Sequence, residues 1–351
     1  MSRSTSPDMN SIGKRTKAVS KCHTRRVAYC AVAVLTSLGL AACSGFTYGS
    51  DTPRIDDESI EQTAQFPRDG IMRFHYATEH ERQYGDLFLP RGQRYSEPVP
   101  LVVMIHGGGW MEKSDAASTN DLAENLTTYG VAVWNIEYRG IGKEGQPGPG
   151  GWPRTYEDVA QAVDFIPTLA ERSAVPLDLT RVTVTGLSAG GNLSAWSCSR
   201  PALPNGAPGS NPRFEVNRCV GLAGVYDLKL AYEQHDRYVK TLLGGTPDEV
   251  PDRYRLSSPA ENINKDATIV VFAGRNDEVV NYDEATSFVK EARAAGLKIE
   301  EHILNNASHV SWAKVTGAQW KLARTHILAQ VGIKAENLSS VPEDTGVRIS
   351  R

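Results

Sequence analysis

The chain has 351 residues, of which 40% are hydrophobic and 23% charged, and a formal net charge of −3. These values are ordinary for a globular protein, and one α/β domain can account for most of the length. No long run of one charge sign follows residue 26, so the concentrated basic face that a nucleic-acid partner needs is missing from the pattern.

In chain order, the first feature is a basic cluster, Lys14, Arg15, Lys17, Lys21, Arg25 and Arg26, followed by an apolar run from Val27 to Leu40. The run is too short for a membrane-spanning helix, which takes roughly 20 residues, and has the form of a secretory signal. It closes on Leu40-Ala41-Ala42-Cys43, which resembles the bacterial lipobox. That resemblance implies cleavage before Cys43, a lipid on its sulfur and a mature protein held to a membrane of the bacterial cell envelope. Residues 43–70 are polar and aperiodic and read as a tether. Cys22 and Cys30 leave with the signal. Cys198 and Cys219 remain, outside the reducing cytosol, where they are expected either to pair or to stay as two buried thiols. No cysteine or histidine spacing suggests a metal site, and no metal or organic cofactor is expected.

From residue 71 strands alternate with helices. Ile71 to Ala77 and Tyr84 to Leu89 read as a hairpin. Leu101 to Ile105 is continuously apolar, and Val131 to Asn135 is so up to its last residue, as strands covered on both faces are. Thr155 to Ala170 has a helical apolar face, with Thr155 and Asp158 in a capping-box pattern and Pro167 expected to kink or shorten it. Val182 to Val184 is a strand leading into Gly186–Gly191, and residues 189–199 read as helix. Cys219 to Val225, Ile269 to Ala273 and Leu297 to Leu304 are further strands. Asp283 to Ala295 and Ser311 to Val331 are further helices. The catalytic domain is read as residues 71–335 and the polar tail 336–351 as frayed. The pattern predicts an α/β fold with a mostly parallel sheet, helices on both faces, and active residues at the carboxyl ends of strands.

Two glycine-rich loops stand at such ends. Gly186-Leu187-Ser188-Ala189-Gly190-Gly191 follows a strand and opens a helix, a tight turn that exposes the serine hydroxyl. His106-Gly107-Gly108-Gly109-Trp110 follows the strand ending at Ile105, and its glycines can point amides at a negative oxygen. His106 itself reads as a loop-fixing residue. A serine needs a base and the base needs an orienting acid, in the chain order Ser, Asp or Glu, His. His309, just past the last strand, is the expected base. His302 is expected on an exposed strand face, His326 on a surface or packing, and His235 in a polar insertion where it could at most touch substrate. Asp277 is the first candidate for the acid, ahead of Glu278 and Asp283. Asp227 is read as structural.

Jointly, His106–Trp110, Tyr138-Arg139, Trp152-Pro153 with Asp158, Gly186–Gly191, Asp277 and His309 resemble the α/β-hydrolase superfamily over roughly residues 71–333. The likeness is to the esterase/lipase branch, which takes in hormone-sensitive-lipase-like enzymes and bacterial feruloyl and acetylxylan esterases. It implies a serine carboxylesterase with Ser188, Asp277 and His309 as triad, and with Gly108, Gly109 and Ala189 as oxyanion donors, supported by Gly107. Leu187 stands where an acidic residue usually precedes the nucleophile, and residues 44–70 are too polar for a helical cap. The insertion from Lys229 to Asn262 is at most a small cap. Short-acyl esters are therefore expected. A formamidase or peptidase of the same fold, or a binding protein on a hydrolase scaffold, are the alternatives.

Overall fold

The computed structural model describes residues 70–90, 97–143, 148–334 and 348–349. The segment 1–42 read as a signal, Cys43 and the stretch read as a tether up to residue 69 lie outside the described residues. Among the described residues a nine-stranded sheet runs in the order β1-β2-β4-β3-β5-β6-β7-β8-β9. Its strands are β1 (Ile71–His75), β2 (Tyr84–Phe88), β3 (Val99–Ile105), β4 (Ala132–Ile136), β5 (Leu177–Leu187), β6 (Arg218–Leu222), β7 (Thr268–Gly274), β8 (Lys298–Leu304) and β9 (Arg348–Ile349). The β1–β2 hairpin and β9 are antiparallel to their neighbours. All pairings from β4 through β8 are parallel.

β3 is buried along its whole length. Its alternate residues feed two cores, one on each face of the sheet. Leu101, Val103 and Ile105 pack into the larger core and Val102 and Met104 into the smaller. The larger core is covered by α2 (Arg154–Asp164), α3 (Ile166–Ser173), α4 (Ala189–Ser199) and α8 (Asp283–Ala294), the smaller by α1 (Asn120–Thr127) and α9 (Ala318–Gln330). Helices α5 (Leu228–Glu233), α6 (Val239–Leu243) and α7 (Pro251–Ser257) form the insertion after β6. They are short, and their Leu242, Leu243 and Tyr254 pack into the main core. Cys198 at the end of α4 is disulfide-bonded to Cys219 at the start of β6, with Cα atoms 6.4 Å apart.

Several local expectations change. The helix read from Thr155 to Ala170 is two helices meeting at Phe165, with Pro167 in the first turn of the second, where its missing N–H costs nothing. Thr155 and Asp158 make no capping box. The Thr155 hydroxyl donates to the Arg139 carbonyl, and Asp158 takes the Arg139 guanidinium at 2.6 and 2.8 Å. The last helix begins at Ala318, after a short 3-10 turn at His309–Ala313. Of the tail read as frayed, Arg348–Ile349 pair with β8.

Candidate active site

The turn between β5 and α4 puts Ser188 at φ 58° and ψ −121°, a left-handed conformation that strains a residue bearing a Cβ. The turn exists only because its neighbours have no side chains. A Cβ on Gly186 would lie 2.3 Å from the Gly190 carbonyl oxygen, and one on Gly190 would lie 2.1 Å from that of Ile105. The Ser188 amide donates to the Leu222 carbonyl at 2.8 Å, fixing the turn to the end of β6.

The loop after β3 closes over this turn. A Cβ on Gly107 would stand 2.5 Å from the Leu187 carbonyl oxygen. Gly108 and Gly109 follow with φ 106° and 64°. The amides of Gly108, Gly109 and Ala189 donate to no protein acceptor among the described residues, so three donors stand at the site unspent. The loop is held from behind. His106 Nε2 lies 3.1 Å from Glu137 Oε1, its Nδ1 2.8 Å from the Gly107 carbonyl, and its ring stacks on Tyr138 with centroids 4.2 Å apart. Glu137, buried at the end of β4, also accepts from Arg82 and from the amides of Ala116 and Tyr138. Burial alone would raise its carboxyl, but His106, Arg82 and the Ala116 amide bring it below the ordinary range.

The acid and the base come from the next two loops. Gly274 ends β7 against the His309 loop so closely that a Cβ there would sit 2.2 Å from the Ala307 carbonyl oxygen. The Arg275 and Asn276 amides donate to the Leu304 and Ala307 carbonyls. This tie brings Asp277 Oδ2 to 2.8 Å from His309 Nδ1. The other carboxylate oxygen accepts from the amides of Val279 and Val280, both at 2.9 Å. The Asp277 side chain is 1% exposed and that of His309 15%. A carboxylate fixed at both oxygens and hidden from water sets the ring's orientation and puts the proton on Nδ1, leaving Nε2 as the basic nitrogen.

His309 and Ser188 line one cavity of about 530 Å³ with Gly107, Gly108 and Gly109. Tyr238 of the insertion closes one side, its ring 2.8 Å from where a Gly109 Cβ would be. Trp110 also lines this cavity, whereas Trp152 packs on Tyr156 at 5.5 Å. Beside it lies a cavity of about 330 Å³ that shares Val225, Asp236, Tyr238, Val279 and Val280, and adds Gln234, His235, Arg237, Glu278 and Glu284. The Glu284 Oε2 accepts from the amides of Tyr226 and Asp227, while its Oε1 is buried without a partner. Burial pushes this carboxyl up to about 8. Glu278 is exposed and its neighbour Asp277 alone meets His309. Asp283 stands in the first turn of α8, and Asp227 caps α5 by accepting from the Lys229 and Leu230 amides. Glu137 and Glu284 were missed from sequence. A carboxylate ending the apolar β4 run was the available signal for the first, since it must find partners.

His302 is not on an exposed face. It is buried and stacks on Phe272 at 4.6 Å, because α9 covers that side of β8. His326, on α9, packs against it with ring centroids 4.4 Å apart.

Comparison with known proteins bears on the same residues. Esterase LipC of Mycobacterium tuberculosis is 27% identical over 212 residues, covering 57% of this chain and 49% of LipC. The probable carboxylic ester hydrolase LipM of the same organism is 28% identical over 202 residues, covering 56% of this chain and 45% of LipM. The chain thus spans about half the length of these relatives. Among solved structures, the truncated form of a carbohydrate esterase from gut microbiota aligns with a TM-score of 0.62 at 22% identity, over 76% of this chain and 98% of that one. At that identity the likeness speaks for the fold alone, and the fold is that of the α/β-hydrolases. The BD-FAE family matches residues 86–291, a stretch that carries the Gly107–Gly109 loop, the Ser188 turn and Asp277 and stops short of His309; the chain belongs to that family.

Proposed function

We propose that the protein is a serine-dependent carboxylic ester hydrolase acting on short-acyl esters. The observation that carries this reading is one cavity holding Ser188 on a strained turn, His309 anchored to buried Asp277, and three unspent amides. Ser188 Oγ attacks the ester carbonyl while His309 Nε2 takes its proton. The carbonyl oxygen becomes an oxyanion and receives the Gly108, Gly109 and Ala189 amides. Asp277 stabilises the imidazolium. His309 then gives the proton to the leaving alkoxide, and water repeats the sequence on the acyl-enzyme. The relatives LipC, an esterase, and LipM, a probable carboxylic ester hydrolase, support ester chemistry in this fold.

Tyr238 packs against Gly109 in the wall of the Ser188 cavity, and we read that aromatic wall as favouring acetyl-sized groups over fatty chains. The neighbouring cavity with its Gln234, His235, Asp236 and Arg237 suits a hydroxyl-rich alcohol. The export and lipid-anchor reading rests on Leu40–Cys43. Under it, the enzyme works at the cell envelope on small esters. Fluorophosphonate should label Ser188, and Ser188→Ala should lose the label and at least about 1,000-fold in kcat while remaining folded. Turnover within tenfold of wild type in Ser188→Ala would overturn the assignment. A kcat/KM that rises steadily with acyl length, at concentrations below micelle formation, would overturn the short-acyl reading alone.

A further inference from the structure

We propose that Glu300, His302 and His326 form a zinc site on the face of the sheet covered by α9, separate from the Ser188 cavity. Glu300 and His302 are two residues apart on β8 and so share a strand face. Helix α9 lays His326 over that face. One ligand atom from each residue lies within 4.8 Å of the others. The Glu300 carboxylate already spans the two rings, with Oε1 at 2.9 Å from His302 Nε2 and Oε2 at 3.7 Å from His326 Nδ1.

The rings are held before any ion arrives. Phe272 stacks on His302 and meets the edge of His326 at 5.3 Å. Two imidazole nitrogens and one carboxylate oxygen are a zinc donor set with one position left for water. The Glu300 side chain is 42% exposed, which supplies the way in.

Binding requires the His302 proton on Nδ1, so that Nε2 offers its lone pair. That Nδ1 is buried without a partner. Metal-bound histidines ordinarily donate this proton to an acceptor, and loss of such a partner weakens affinity by about 10- to 100-fold. The site is thus expected to bind zinc more weakly than a fully supported one. The side chains must also draw in, since the Glu300 to His326 separation exceeds that between ligands on one ion.

The test is calorimetric titration of the folded, metal-stripped protein with zinc chloride, paired with the visible spectrum of the cobalt-loaded form. Glu300→Gln and His326→Gln are the variants, because both positions are partly exposed and tolerate polar replacement. One zinc per chain is expected, with affinity reduced at least tenfold in each variant. Tetrahedral cobalt bands should appear in wild type and disappear in both. His309→Gln serves as the control for binding at the candidate active site and should leave the zinc affinity unchanged. Absence of binding up to millimolar zinc would overturn the proposal. So would binding that survives both variants, or that is lost in His309→Gln.

Discussion

Two histidines of this protein face a carboxylate at nearly the same distance, His309 on Asp277 at 2.8 Å and His302 on Glu300 at 2.9 Å. Their surroundings are inverted. At His309 the acid is buried and pinned by two backbone amides, while the ring reaches a cavity beside a serine. At His302 the ring is buried and the acid is half in water, and the ring's neighbours are Phe272 and His326. A hydrogen-bonded pair is therefore not by itself a base and its orienter. The acid has to be immobile and the base has to be reachable. A third pair, His106 with Glu137, is buried on both sides and fastens a loop.

The sharpest break in this comparison is at Asp277. Asp277→Asn keeps the size of the side chain but favours the wrong tautomer of His309, and should lower kcat by about 1,000- to 10,000-fold. Glu278→Gln should have little effect, and a larger loss there than in Asp277→Asn would move the orienting role to Glu278. The fastening pair comes next. Glu137→Gln removes the charge that faces Arg82 and His106 and turns one of the two accepting oxygens into a donor set against donors, and it should cost about 3 kcal/mol in a urea titration, the scale for breaking a buried charged network. A cost under about 1 kcal/mol would mean that the loop is held by the Tyr138 stacking alone. The smallest effect belongs to the inverted pair. Glu300→Gln should leave kcat/KM for a short ester within about twofold of wild type, and a tenfold fall would tie that face to the chemistry.

The sequence was legible where one signal dominates. Apolar runs marked β3 and β4, and eight of the observed strands were anticipated, because burial on two faces admits only apolar residues. The Ser188 turn was legible because glycine is the only residue that fits at Gly186 and Gly190. His309 and Asp277 were picked out from their places after strands, and the fold brings their side chains together. Legibility failed where a residue's meaning depends on what covers it. Lys298, Glu300 and His302 lie on one face of β8 and read as a solvent face, but α9 lies over its far end. The first part of β5, Leu177 to Arg181, is polar and was not recognised as strand, although it pairs with Val99 and Pro100. Thr155 and Asp158 matched a capping pattern, yet Arg139, 19 residues before Asp158, claimed the acid. Local propensity predicts a partner in sequence, and the fold offered a better one in space.

Glu284 gives the molecule a proton account of its own. Its carboxyl titrates near 8 in the folded protein against 4.5 in a free chain. Below about pH 4.5 folded and unfolded forms both hold the proton, and the group is neutral to stability. Between 4.5 and 8 the unfolded chain releases it and the folded one does not, so rising pH favours unfolding by about 1.4 kcal/mol per pH unit from this residue alone. Above 8 the penalty is constant. Glu284→Gln retains an oxygen for the Tyr226 and Asp227 amides and removes the titration. The variant should therefore gain on wild type as pH is raised from 5 to 8 in urea unfolding, and parallel curves over that range would contradict the linkage. On the account of this one residue the fold would be sturdier in acid surroundings than in alkaline ones, and the loop behind the polar cavity, whose Tyr226 and Asp227 amides Glu284 holds, would be the first part to sense the change.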